Sequence, residues 1–327
     1  MEAHRVFSGI QPTGECHIGN YFGAIKNWVA LQDRYECIYC IVDYHAITVD
    51  FDPKQLPKRV IDMAGDLIAC GIDPKKSILF VQSHIPEHTE LSWIFNCFTS
   101  YGDLTRMTQF KAKSAEKEFV SAGLFNYPVL QAADILLYKA DRVPVGEDQL
   151  QHLELCRRIA RRFNSKLGVS FFPEVQPILS KAPKIMSLAD PSREMSKSAE
   201  DKHSIGIMED ENSIYKKIKS AVTDMGLQPG QEMTPGVKNL FLILQMTAEP
   251  EVVESLREKH REGKLLYKDL KEVVYENLIR EIKPIRERRR EIMEEEIDRE
   301  LRVGAEKASV IAKETMEEVR KIIGVGT

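Results

Sequence analysis

The chain has 327 residues, about twice a typical domain, so two domains are expected. Hydrophobic residues make up 43%, charged residues 29% and aromatics 8%, with 18 glycines and 15 prolines; this excludes collagen-like, disordered and disulfide-scaffold classes and leaves material for a sizeable core. The 46 basic and 50 acidic residues give a net charge of −4, which excludes a whole-chain pull toward nucleic acid, so any polyanion site must be local.

The opening residues, MEAHRVFSG, carry charges and no apolar run, so no secretory signal is expected. The longest apolar stretches, such as Leu240 to Leu244, fall far short of the roughly 20 residues that a membrane span needs. Cysteines at 16, 37, 40, 70, 97 and 156 read as reduced thiols, and the expected location is the cytoplasm.

In chain order, Arg5 to Gly9 reads as a short strand, followed by a helix in which Ile18, Phe22, Ile25 and Val29 recur at helical spacing. Glu36 to Asp43 and Ser77 to Ser83 are near-continuous apolar runs of the kind buried parallel strands show, with a helix over Pro53 to Cys70 between them. A helix is expected over Thr89 to Tyr101 and a fourth strand over Arg142 to Val145, where Pro144 cannot donate to a ladder. The alternation predicts an α/β, doubly wound parallel-sheet (Rossmann-like) domain over residues 1–205. Beyond it only helical patterns follow: Ser213 to Val222, Val237 to Met246, Glu249 to His260, Lys268 to Ile282, and a last run from about Pro284 to Ile323. Residues 206–327 are therefore expected to form an all-helical domain. The joining stretch, Ser187 to Ser204, is polar and reads as a mobile loop.

Two segments can carry chemistry. FSGIQPTGECHIGN, Phe7 to Asn20, occupies the first strand-to-helix turn, where α/β folds bind ligands. Its glycines allow close backbone approach, the helix start offers free N–H groups, and His17 can donate to a phosphate. It fits neither the dinucleotide fingerprint nor a P-loop. The second, EMSKS at Glu194 to Ser198, sets Lys197 between two hydroxyls that meet phosphate oxygens only if the loop folds over a nucleotide. Cys37 and Cys40 have metal-site spacing, but strand positions three apart face opposite sides, and Pro86 separates His84 from His88; no structural metal is expected.

HIGN and, about 180 residues later, MSKS form the paired signature of class I aminoacyl-tRNA synthetases. SGIQPTG, CIVDYHAIT (Cys40 to Thr48), MTQFKAKS (Met107 to Ser114), YPVLQAADILLY (Tyr127 to Tyr138), VPVGEDQ (Val143 to Gln149) and KSAVTD (Lys219 to Asp224) together resemble the tryptophanyl-tRNA synthetase family, in its order and over nearly the whole chain. One position departs: the family pattern begins the second motif with lysine, and here Glu194 stands there, preceded by Arg193, a candidate for the missing charge.

The resemblance implies activation of L-tryptophan by ATP, with Mg2+ accompanying the nucleotide, and transfer to tRNA by a homodimer with no membrane association. By resemblance, Gln11, Pro12, Thr13, Gly19 and Asn20 contact ATP, Gly146, Glu147 and Asp148 line the adenosine side, and Ile185 packs near the base. Glu194, Met195, Ser196, Lys197 and Ser198 close over the nucleotide, and His17, Lys113 and Lys197 serve the phosphates. Asp134, in an otherwise apolar helix, accepts the indole N–H; Phe7, Gly9, Val42, His45, Val143 and Val145 wall the pocket, and Tyr127 and Gln149 hold the amino group. The basic runs Arg157 to Arg162 and Lys283 to Arg290 are candidates for tRNA, the second preferred because the family's C-terminal helices read the anticodon. A tyrosine-specific ligase, a small-molecule nucleotidyltransferase and a non-catalytic chain that senses tryptophan or binds RNA are the competing expectations.

Overall fold

The computed structural model describes residues 4–108, 110, 119–179, 184–195, 203–223 and 232–326. Lys113, Ser196, Lys197 and Ser198 lie outside the described residues.

Strand β1 (Arg5–Ile10) leads into helix α1 (18–31), which is π-helical over Tyr21–Ile25. Then follow β2 (Glu36–Ile41), α2 (Asp43–Ala46), α3 (Leu56–Ala69), β3 (Ile78–Val81), α4 (Glu87–Asn96), α5 (Tyr101–Thr105), α6 (Ala122–Leu136), β4 (Arg142–Val145), α7 (Leu150–Leu167) and β5 (Gln176–Leu179). The strands make one parallel sheet in the order β3-β2-β1-β4-β5. The order reverses direction at β1, so the crevice between the carboxyl ends of β1 and β4 is the place where such sheets take ligands.

Period-two alternation divides the core between the two faces of the sheet. Val6, Cys37, Tyr39, Ile41, Leu79 and Val81 belong to one apolar cluster, and Phe7, Ile38, Cys40, Val42 and Phe80 to the other. Cys37 and Cys40 thus lie on opposite faces, as the strand parity requires. The fourth predicted strand forms over the expected residues, whereas β5 carries no apolar pattern: it is a four-residue edge strand with Pro177 in its ladder.

The C-terminal part is helical: α8 (Glu211–Ser220), α9 (Pro235–Thr247), α10 (Pro250–Arg261), α11 (Tyr267–Glu291) and α12 (Glu294–Ile323). The expected single helix from Pro284 is not found. Pro284 lies exposed inside α11, and the break comes at Ile292 and Met293, whose backbones are extended. The helix expected over Thr89 to Tyr101 forms as α4 but ends at Asn96, and Ser100, extended, precedes a separate helix α5 that starts at Tyr101. Helix α12 returns to the sheet: Ala308, Ala312, Met316 and Val319 join the core that contains Phe7 and Phe80.

Candidate active site

The turn after β1 is built by its own residues. Gly14 sits at φ 73°, the left-handed region that favours glycine. His17 caps α1: its Nδ1 accepts the Asn20 N–H at 3.2 Å while Asn20 Oδ1 accepts the His17 N–H at 3.3 Å. An Nδ1 that accepts carries no proton, so the ring proton resides on Nε2, the tautomer that donates. A Cβ on Gly19 would lie 2.8 Å from His17 Nδ1, so only glycine leaves the cap intact.

The chain on each side of the second motif is tied down, on the C-terminal side against the first motif itself. Ile18 N–H donates to Ile205 O at 3.0 Å and Ile207 N–H to Cys16 O at 2.8 Å, pairing His17 with Gly206 in an antiparallel bridge. On the other side, Ser187 N–H donates to Arg193 O and Met195 N–H to Ile185 O, a short hairpin within the stretch expected to be mobile. Asn239 of α9 clips that hairpin by exchanging two hydrogen bonds with the Met186 backbone, each 2.8 Å. Lys217 of α8 holds the far end, donating to Ser204 O at 3.0 Å and pairing with Glu209 at 2.6 Å.

These segments enclose a cavity of about 910 Å3. Gln11, Pro12, Thr13, His17, Gly19 and Asn20 line it from the first turn, Gly146 and Asp148 from the turn after β4, and Ile185, Glu194 and Met195 from the hairpin. Glu147 stands exposed in the same turn without lining it. Asp50, Asp52, Arg59 and Lys184 also line it, and no sequence signal marked them. Lys184 Nζ lies 2.8 Å from Glu194 and 3.9 Å from Asp148; the bond to Glu194 pushes its pKa up and keeps it charged. Arg193 instead pairs with Asp190 at 3.3 Å, exposed and away from the cavity wall. Among the described residues the cation paired with position 194 is therefore Lys184, not Arg193.

The residues read as the amino-acid side gather beside this cavity, whose lining residues Ile10 and Ala46 adjoin Gly9 and His45 in the chain. Phe7, Val42, Val143 and Val145 share one apolar cluster, and a Cβ on Gly9 would lie 2.8 Å from Val42 Cγ1. Tyr127 packs edge-on to His45, with its hydroxyl 3.0 Å from His152 Nε2, and Gln149 donates to Asp148 at 3.1 Å. Asp134 is 1% exposed and accepts from Gln82 Nε2 at 2.7 Å, His88 Nδ1 at 2.6 Å and His45 Nε2 at 2.8 Å. Burial pushes its carboxyl up, but the bonds from His45 and His88 outweigh that and hold the pKa at about 2. It is a buried, ionised acceptor.

Gln82 and His88 were not anticipated. The signal was present: Ile85, His88, Leu91 and Phe95 follow a helical stripe, so His88 stands where an apolar side chain is expected and requires a buried partner.

A Rossmann-type sheet with a polar, glycine-edged cavity at its switch point and a fixed carboxylate alongside defines a nucleotide-binding α/β enzyme. The chain belongs to the family described as tRNA synthetases class I (W and Y), which matches residues 1–283. It is 51% identical over 326 residues to the tryptophan–tRNA ligase of Clostridium tetani, covering 98% of this chain and 95% of that one. It is 48% identical over 324 residues to that of Caldanaerobacter subterraneus subsp. tengcongensis, covering 98% of each. The tryptophanyl-tRNA synthetase of Campylobacter jejuni complexed with ADP and tryptophan superposes with a TM-score of 0.85 at 35% identity, over 98% of this chain and 100% of that one.

Proposed function

We propose that this chain activates L-tryptophan with ATP, forming tryptophanyl-adenylate and pyrophosphate, and transfers tryptophan to the 3′ end of tRNA(Trp). The observation that carries the amino-acid choice is the buried, ionised Asp134 beside the nucleotide-sized cavity. Tryptophan offers an indole N–H to such an acceptor; phenylalanine leaves it without that bond. The likeness to tryptophan ligases along nearly the full chain favours tryptophan over tyrosine.

The reaction joins a carboxylate to the α-phosphate and needs no protein nucleophile, so catalysis is positioning and charge stabilisation. Gln11, Pro12, Thr13, Gly19 and Asn20 face ATP, with Gly146, Glu147, Asp148 and Ile185 on the adenosine side, Glu194 and Met195 beside the nucleotide, and Ser196, Lys197 and Ser198 over the phosphates. His17 donates through Nε2, and Lys113 and Lys197 serve the phosphates. Phe7, Gly9, Val42, His45, Val143 and Val145 wall the indole, and Tyr127 and Gln149 take the amino group. Among the described residues no group of three or more His, Cys, Asp or Glu side chains is disposed to hold a metal; Mg2+ enters as part of the ATP substrate. In the second step the adenylate phosphate itself takes the ribose hydroxyl proton.

Residues 1–205 are assigned to activation and the helical part of 206–327 to the anticodon. Within the second basic run, Arg286 and Arg289 are engaged by Glu211, Asp62 and Asp66, which leaves exposed Lys283, Arg288 and Arg290 for RNA. A homodimer is proposed from the family resemblance, with exposed Trp93, Tyr101 and Phe119 as candidates for its interface. No helix among the described residues is long and apolar enough to cross a membrane, and a cytoplasmic location is proposed.

The test is ATP–pyrophosphate exchange driven by tryptophan, tyrosine or phenylalanine without tRNA. Exchange with tryptophan alone is expected; exchange with tyrosine selects the tyrosine ligase, and tryptophan binding without exchange selects a sensor. In the same assay Lys184→Ala is expected to raise the KM for ATP about threefold to tenfold, as loss of one partly exposed cation. An unchanged KM would leave the Lys184–Glu194 pair as a tie within the hairpin.

A further inference from the structure

Asp134 is approached unequally on its two oxygens. Gln82 Nε2 and His88 Nδ1 converge on Oδ1, at 2.7 and 2.6 Å, while among the described residues Oδ2 receives only His45 Nε2, at 2.8 Å. Each carboxylate oxygen has about two acceptor directions, so Oδ1 is filled and Oδ2 keeps one. His88 is itself fixed. It is fully buried between the rings of Phe80 and Tyr138, and its Nε2 lies 2.8 Å from the Tyr138 hydroxyl. An ionised carboxylate can only accept, so His88 Nδ1 carries a proton, and the hydrogen bond between Nε2 and the Tyr138 hydroxyl holds the other side of the ring.

Resting on the tryptophan assignment above, we propose that His88, oriented by Tyr138, is a positioning residue for substrate selection: it occupies Oδ1 and so offers Oδ2 to the indole N–H. His88 touches no substrate. It acts through Asp134, as Tyr138 acts through His88.

Besides the two histidines, the titratable groups acting with Asp134 are the Cys40 thiol of β2 and the Tyr138 hydroxyl, both pushed up chiefly by burial, Cys40 further by the carboxylate and Tyr138 further by Cys40 and then the carboxylate. Asp43 acts on Cys40 and Glu87 on Tyr138, both in the same sense. His45 and His88 are the chief influences that lower the Asp134 pKa, against its own burial. Removing His88 therefore moves the carboxyl toward protonation in mild acid, where it no longer accepts freely.

The experiment is pyrophosphate exchange by the full chain with tryptophan and ATP varied separately, between about pH 5 and 8. His88→Ala is expected to raise the KM for tryptophan about tenfold to a hundredfold, with the KM for ATP within about twofold, as one charge-assisted bond is lost. That KM should climb as pH falls, where the wild type stays flat. His88→Asn, whose amide keeps a donor near the Nδ1 position, should recover most of the loss. Tyr138→Phe, which keeps the ring packing, should give a milder rise, about twofold to fivefold; it and His88→Asn decide the matter if His88→Ala does not fold. Wild-type tryptophan KM and a flat profile in the His88 and Tyr138 variants, with Asp134→Asn impaired, would overturn the positioning role alone. Equal losses toward ATP and tryptophan in His88→Ala would assign His88 to packing and overturn it too. A wild-type tryptophan KM in Asp134→Asn would instead remove the tryptophan assignment beneath it.

Discussion

Asp134→Ala is expected to raise the KM for tryptophan about a hundredfold while the KM for ATP shifts no more than about threefold, read by pyrophosphate exchange at separately varied substrates. Two losses combine. The indole N–H forfeits a charged acceptor, and Gln82, His88 and His45 forfeit theirs in a buried site. Discrimination against phenylalanine should shrink, because phenylalanine never used the carboxylate. Equal effects on the two substrates would remove Asp134 from the pocket.

The same residue ties stability to acid. Its folded pKa of about 2 lies below the ordinary aspartate value, so its contribution is present above about pH 4 and is lost as pH falls through about 2. Acid unfolding of the alanine variant should begin from a lower stability at neutral pH and show a weaker dependence over that window, measured by circular dichroism across the titration. An unchanged acid transition would mean that the carboxylate is already compensated in the unfolded chain.

What the sequence made legible were features written locally. The apolar runs around Cys37 and Leu79 announced parallel strands, and a lone aspartate inside LQAADILLY announced a buried carboxylate. β5 escaped because its four residues gain their place from β4 rather than from a pattern of their own. The partners of Asp134 escaped for a related reason: Gln82 and His88 lie 52 and 46 residues away, and periodicity within a segment does not say which segments meet. Position 194 is instructive in the same way. Its sequence neighbour Arg193 looked like the compensating charge, but the hairpin brings Lys184 across to it, ten residues off. The return of α12 to the sheet was invisible too, since a charged amphipathic helix does not declare which apolar surface it will cover.

That return can be tested at one atom. Gly304 lies in α12 against β3, and a Cβ there would sit 1.8 Å from Leu79 O and 2.7 Å from Leu79 C, backbone atoms that no rotamer change can relieve. Replacing a helix-interior glycine by alanine ordinarily stabilises by about 1 kcal/mol. Here the helix must lift from the strand, and overpacking of this kind costs about 3 kcal/mol or more, so the clash outweighs the propensity gain. Gly304→Ala should therefore lower the urea midpoint, where an exposed helix glycine would raise it. Damage should also reach the substrate site unevenly. β3 ends in Val81, and the next residue, Gln82, holds Asp134 Oδ1. A displaced β3 drags that donor with it, whereas the turn after β1, at the head of the nucleotide cavity, is anchored by β2, β4 and residues 205–207. At a temperature where the variant is folded, the KM for tryptophan should rise more than the KM for ATP. A lowered midpoint with both KM values unchanged would confine α12 to covering the sheet edge, while a raised midpoint would show that the helix lies farther from Leu79 than the packing here requires.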